Sequence, residues 1–252
     1  MPKIFDRLYY VGPLGLGDSF LHNGIVHHFA SQCFELHVPA WPQIHKTVAC
    51  LYQDFPNIKV VPLRHYDEGE NQYIAEQKLS RILPNDMIRI NSSTGEPMAP
   101  LWDVQVYAYY GLSFSLRYNN FHLPKHVEGA EELYQDLSKG EPYILVHKRS
   151  SKYPTGFPID INNFRKNAGL PTLKVVEVQE GITDNMMQYV KLIENAEEIH
   201  CVASSFHCLV DSIYNRTKGR LFFHDIRADA LMKINSHDNQ FSWQIVDYGV
   251  KL

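Results

Sequence analysis

The chain has 252 residues, 44% of them hydrophobic and 21% charged, with a formal net charge of −4. That length makes room for one large domain or two small ones, each with its own core. The acidic balance argues against a general nucleic-acid binder, which needs a basic face. No apolar run approaches the roughly 20 residues of a membrane span, and the N-terminal MPKIFDRLYY lacks the apolar core of a signal peptide. Cys33, Cys50, Cys201 and Cys208 form no CxxC pair, and three of them fall in apolar runs. They read as reduced, buried thiols in a soluble cytoplasmic protein.

In chain order, LYYVGP reads as a buried strand, and Ser19 to Ser31 has helical spacing with Phe20, Gly24, Ile25, His28 and Phe29 on one face. CFELHVPA is a second strand, a helix starts at about Pro42, and NIKVVPLR is a third strand. Asn71 to Leu83 reads as a helix and DMIRI as a short fourth strand. Trp102 to His126, dense in Tyr, Phe, Arg and Asn, reads as a helix followed by an irregular loop. Glu128 to Lys139 is a polar linking helix closed by Gly140.

A second alternation begins with PYILVHKRSS, a strand ending in a basic loop. LKVVEVQ is the next strand, Asn185 to Ala196 a helix, and EIHCVA a strand. That strand runs into SSFHCLVDSIYNRTKG, where Phe206, Leu209, Val210 and Ile213 follow helical spacing, and RLFFHDI closes the series. Strand–helix alternation of this kind implies parallel sheets with crossover helices. The expectation is an α/β protein of two Rossmann-like parallel-sheet domains, residues 1–126 and 142–252, joined by a linker over 127–141 and facing each other across a cleft.

Three strand-to-loop junctions carry residues suited to chemistry. After the first strand, Gly12, Gly15 and Gly17 tolerate positive φ and close ligand approach, although neither a GxGxxG nor a Walker pattern is present. Asp18 follows at a helix N-cap position, where a carboxylate satisfies free amides or serves as a general base. Both roles stay open. In VHKRSS, Lys148 and Arg149 offer charge and donors to a phosphate, or form a solvated loop. In CVASSFHCLVDS, Ser204 and Ser205 begin a helix whose N-terminus favours anions, with His207 as a further donor; simple capping is the alternative. No DxD triplet, metal-ligand pattern or GxSxG elbow occurs, so no metal and no cofactor are expected. Aromatic residues between Tyr107 and Phe121 stack on sugar or base rings or form an inter-domain packing face. Tyr110, Arg117 and Asn120 are the candidate acceptor-side residues there.

Together these junctions resemble those of GT-B glycosyltransferases. GLGD before a helix is similar to the N-terminal loop of the lipopolysaccharide heptosyltransferases, which implies that Asp18 is the catalytic base. ENAEEIHCVASSFHCLVDSI resembles the segment that delivers hydroxyls and a histidine to the donor phosphates, implying that role for Ser204, Ser205 and His207, with Gly17 also facing phosphate. VHKRSS is similar to the basic strand-end motif of α1,6-type fucosyltransferases, which implies Arg149, with Lys148, as diphosphate ligands. Ala203 stands where the heptosyltransferase pattern has an acidic residue. The resemblance implies a metal-independent transferase taking a sugar from a nucleotide-sugar to a hydroxyl of a glycan or lipid acceptor. A sugar-nucleotide epimerase or hydrolase and a non-catalytic nucleotide-binding protein are the rival readings.

Overall fold

The computed structural model describes residues 3–12, 15–63, 88–89, 102–150, 153–226 and 243–248. The helix expected over Asn71 to Leu83 lies outside them. The chain divides into two compact units, Met1–Val127 and Glu128–Leu252.

The first unit comprises β1 (Phe5–Val11), α1 (Leu16–Leu21), α2 (Asn23–Ala30), β2 (Cys33–Ala40), α3 (Pro42–Tyr52), β3 (Ile58–Pro62), β4 (Ile88–Arg89), α4 (Trp102–Tyr109) and α5 (Leu116–Asn119). Its strands form one parallel sheet in the order β3-β2-β1-β4. The register pairs Leu8 with Leu36 and Leu36 with Ile58. Strand periodicity of two therefore gathers Leu8, Tyr10, Leu36, Val38 and Ile58 on one buried face. The opposite face carries Arg7 and Glu35, paired at 2.9 Å.

One local expectation is corrected here. The helix expected from Ser19 begins three residues earlier, at Leu16, and is interrupted at His22 (φ −93°, ψ 2°) before α2. Of its expected apolar face, Phe20, Gly24 and Ile25 are buried, whereas His28 and Phe29 are only half-buried. Arg117, Asn120 and Tyr110, expected on the acceptor side or in a packing face, have these partners. Arg117 is 3% exposed and its Nη1 lies 2.5 Å from Asp103 Oδ2. Asn120 Nδ2 donates to the Gly24 carbonyl at 3.0 Å, and the half-buried Tyr110 meets Phe29 edge-on at 5.4 Å. These side chains brace α5 and α4 against α2; a buried guanidinium is retained because it is paired.

The second unit comprises α6 (Ala130–Ser138), β5 (Tyr143–His147), α7 (Ile161–Asn167), β6 (Lys174–Glu177), α8 (Val190–Asn195), β7 (Glu198–Val202), α9 (Ser205–Ser212), β8 (Arg220–Asp225) and β9 (Trp243–Asp247). Short 3-10 turns precede α8 (Met186–Tyr189) and follow α9 (Tyr214–Arg216). All five strands run parallel in the order β6-β5-β7-β8-β9. The linking helix α6 packs on the 3-10 turn and α8, and ends where Lys139 and Gly140 adopt positive φ. Sequence periodicity missed α7 and β9. The first is short and polar, started by the Asp160 side chain accepting the Asn163 amide at 3.0 Å; the second is a five-residue edge strand.

β7 is buried along its whole length despite containing Glu198 and His200. Glu198 is compensated by Arg165 at 2.5 Å and by Arg220. A chain of hydrogen bonds continues from His200 Nδ1 to His224 Nε2 (2.9 Å) and from His224 Nδ1 to the Tyr248 hydroxyl (2.7 Å). Ile144, Val146, Ile161, Val202 and Ile226 form the apolar core on the face that α7 covers. The expected helix positions Phe206, Leu209, Val210 and Ile213 are all buried. All four cysteines are buried and outside any disulfide, and no described helix is long and apolar enough to cross a membrane.

Candidate active site

In an open parallel sheet, ligands bind beyond the carboxyl ends of the strands, where the strand order reverses. In the first unit that reversal lies at β1, flanked by β2 and β4; in the second it lies between β5 and β7. The three junctions singled out in the sequence follow β1, β5 and β7.

After β1, Gly17 and Asp18 occupy the first turn of α1 and are half-buried. The expected N-cap role of Asp18 is corrected: Gly15 is the cap, and Asp18 is the third helical residue. Its carboxylate folds back to accept the Gly15 amide at 3.1 Å, which satisfies one free donor of the helix start. The glycines here do not use positive φ. Gly15 has φ −74°, and a Cβ on it would strike the Asp18 carboxylate. The glycine is needed for space. Asp18 also lines a cavity of about 20 Å³ with Tyr10, Gly12, Ser19, His22, Val26, Val38, Pro39 and Tyr52.

After β5, Lys148 and Arg149 are half-buried and paired with acids at the end of the neighbouring strand. Lys148 Nζ lies 2.9 Å from Glu177 Oε2, and Arg149 Nη1 lies 2.5 Å from Glu180 Oε2. Glu180 is 83% exposed on its side chain, so the Arg149 pair is held weakly against solvent.

After β7, Ser204 is the N-cap of α9, its Oγ accepting the His207 amide at 3.2 Å. The same Oγ lies 3.1 Å from His147 Nδ1 and 3.1 Å from the Val202 carbonyl oxygen. Ser205 follows, half-buried. His207 is buried in the first turn of the same helix. Its imidazole is 1% exposed and packs against Phe223 and Trp243, each at 5.0 Å. Helical spacing turns it onto the sheet, where it braces α9. Sequence reasoning missed His147, the last residue of β5, which stacks on Phe206 at 5.0 Å and 21°. Burial, with the charges of Arg149 and His207, lowers its pKa to about 4, so the ring that meets Ser204 is neutral. The alternation of β5 was the available signal, since it sends Tyr143, Leu145 and His147 to the α9 side. Among the described residues, no three His, Cys, Asp or Glu side chains gather as a metal site.

No protein-family model matches the chain, and no curated protein matches it. A solved structure does: a family 9 glycosyl transferase from Veillonella parvula, at a TM-score of 0.54 and 11% identity, over 98% of this chain and 88% of that one. The two chains share a fold. An Escherichia coli heptosyltransferase, WaaC, solved with ADP, aligns at a TM-score of 0.49 and 10% identity over 96% of this chain and 90% of its own. The fold of this protein is the one seen in that family 9 glycosyl transferase.

Proposed function

We propose that this protein is a glycosyltransferase that moves a sugar from a nucleotide-sugar to an acceptor hydroxyl without a metal ion. The observation that carries the reading is the second unit's switch point. There Lys148 and Arg149 after β5 and the capped N-terminus of α9 at Ser204 and Ser205 belong to adjacent strand ends. Two cations, two hydroxyls and the free amides of a helix start are the chemistry that holds a diphosphate. Glu177, at the carboxyl end of β6, is where doubly wound folds take ribose hydroxyls.

In the reaction, the Asp18 carboxylate takes the proton of the acceptor hydroxyl as its oxygen attacks the anomeric carbon. The bond from that carbon to the donor phosphate oxygen breaks, and the nucleoside diphosphate leaves with the electron pair. Arg149, Lys148, Ser204 and Ser205 stabilise the charge it acquires. Inversion follows from attack opposite the leaving group. Asp18 belongs to the first unit and the phosphate ligands to the second.

The test is a thermal-shift screen against UDP-, GDP-, ADP- and CMP-sugars, followed by mass spectrometry of the product. One nucleotide class raising Tm, with sugar transfer to an added glycan or lipid acceptor, supports the reading. Full-rate release of nucleotide without acceptor would identify a hydrolase, and binding without turnover a carrier; either overturns it.

A further inference from the structure

The cavity beside Asp18 has a use that the transfer reaction leaves unassigned. Tyr10 and His22 line it, both buried, with the Tyr10 hydroxyl 2.9 Å from His22 Nδ1. Gly12 closes over this pair: a Cβ there would lie 2.8 Å from Tyr10 Cε1 and 3.3 Å from His22 Nδ1. At about 20 Å³ the space exceeds the roughly 10–15 Å³ that one water needs, and it offers the two to four polar partners such a water requires. Asp18, Tyr10, Ser19 and His22 are polar residues of its lining, and Val26, Val38 and Pro39 are apolar ones.

We infer that Tyr10 and His22 are positioning residues for Asp18, holding one water in this cavity that donates a hydrogen bond to the Asp18 carboxylate. The conclusion does not depend on the histidine tautomer. An ionised carboxylate only accepts. If Tyr10 donates to His22 Nδ1, the phenol oxygen accepts one water hydrogen and Asp18 the other. If His22 Nδ1–H donates to Tyr10, the phenol donates to the water and the water donates to Asp18. Burial, reinforced by the Arg117 charge, lowers the His22 pKa to about 3, and burial raises that of Tyr10 well above its ordinary value. Both groups therefore stay neutral near pH 7. The water adds a donor to the carboxylate beside the Gly15 N–H, which helps to fix its orientation toward the acceptor. The catalytic meaning rests on Asp18 being the base.

The test needs no substrate. The Asp18 side-chain carboxyl is followed by carbon-13 NMR in the full-length protein from pH 3 to 8, assigned by its loss in Asp18→Asn. Tyr10→Phe raises its measured pKa by about half to one unit, because a donor to the charged form is lost. His22→Leu does the same, whereas His22→Asn, whose amide reaches the Nδ1 position, stays near wild type. In the wild-type protein, a long-lived water gives a rotating-frame Overhauser contact to the Tyr10 ring. An unchanged Asp18 titration in folded Tyr10→Phe, or no such water contact in wild type, overturns the inference. In the transfer assay Tyr10→Phe lowers kcat about 10-fold with an unchanged donor KM. If Asp18→Asn retains full transfer, the base reading fails while the titration still judges the water site.

Discussion

The Ser204 hydroxyl lies 3.1 Å from His147 Nδ1, which ties the end of β5 to the first turn of α9 across the point where the strand order of the second unit reverses. One hydroxyl thus caps a helix and joins two strand ends. Ser204→Ala loses the cap, at about 1 kcal/mol in urea denaturation, and weakens the donor nucleotide about 10-fold in calorimetry. A stability loss with unchanged nucleotide affinity would leave Ser204 as a cap alone.

Asp18→Asn keeps the shape of the side chain and its bond to the Gly15 amide but removes the base. Turnover is expected to fall by about 10²–10⁴-fold, with the dissociation constant of the nucleotide-sugar nearly unchanged. Weakened donor affinity with normal turnover would refute the assignment.

Arg149 and Glu180 give opposite expectations. Arg149→Ala removes a charged donor to phosphate and raises the donor dissociation constant by about 10–100-fold. Glu180→Gln removes an exposed competitor. Its effect on stability stays within about 1 kcal/mol, and donor affinity holds or rises a few-fold. Tighter binding by Arg149→Ala would exclude Arg149 from the site.

Arg117→Ala separates the packing role from a substrate role. It leaves Asp103 buried without its partner, and a broken buried pair costs about 3–5 kcal/mol. Denaturant midpoints should fall accordingly, while donor affinity in the folded protein stays at the wild-type value.

Acid stability follows from the buried histidines. Burial lowers His22, His27 and His224 to about 3 and His147 and His200 to about 4, against about 6.5 in the unfolded chain. Between those values the unfolded state binds more protons, so stability is full above pH 6.5 and is lost as pH falls towards 4. Tm should drop by about 10 °C or more between pH 7 and pH 5 in differential scanning calorimetry. His200→Phe, stacked as now on Phe222 at 4.4 Å, should flatten part of that slope.

Periodicity read along the chain was enough to find β2 and the start of α3 at their observed limits, and to place Phe206, Leu209, Val210 and Ile213 in the core. These are local matters: strand and helix spacing are set by neighbours in sequence, and proline fixes a first turn by its own ring. The three strand-end junctions were legible for the same reason, as changes from apolar runs to Gly, Lys, Arg and Ser. What those side chains do was not. Asp18 became the third residue of α1 because Gly15 leaves space for its carboxylate to fold back. Arg117 turned inward because Asp103, 14 positions away, could compensate it, and His207 was carried beneath α9 by its position on the helix. His147 entered the site only because β5 and β7, separated by 50 residues of chain, are neighbours in the sheet. The sequence by itself determined the elements and their alternation. Only tertiary structure decided the partners of each polar group, because hydrogen bonding and desolvation depend on which distant segments are brought within about 3 Å.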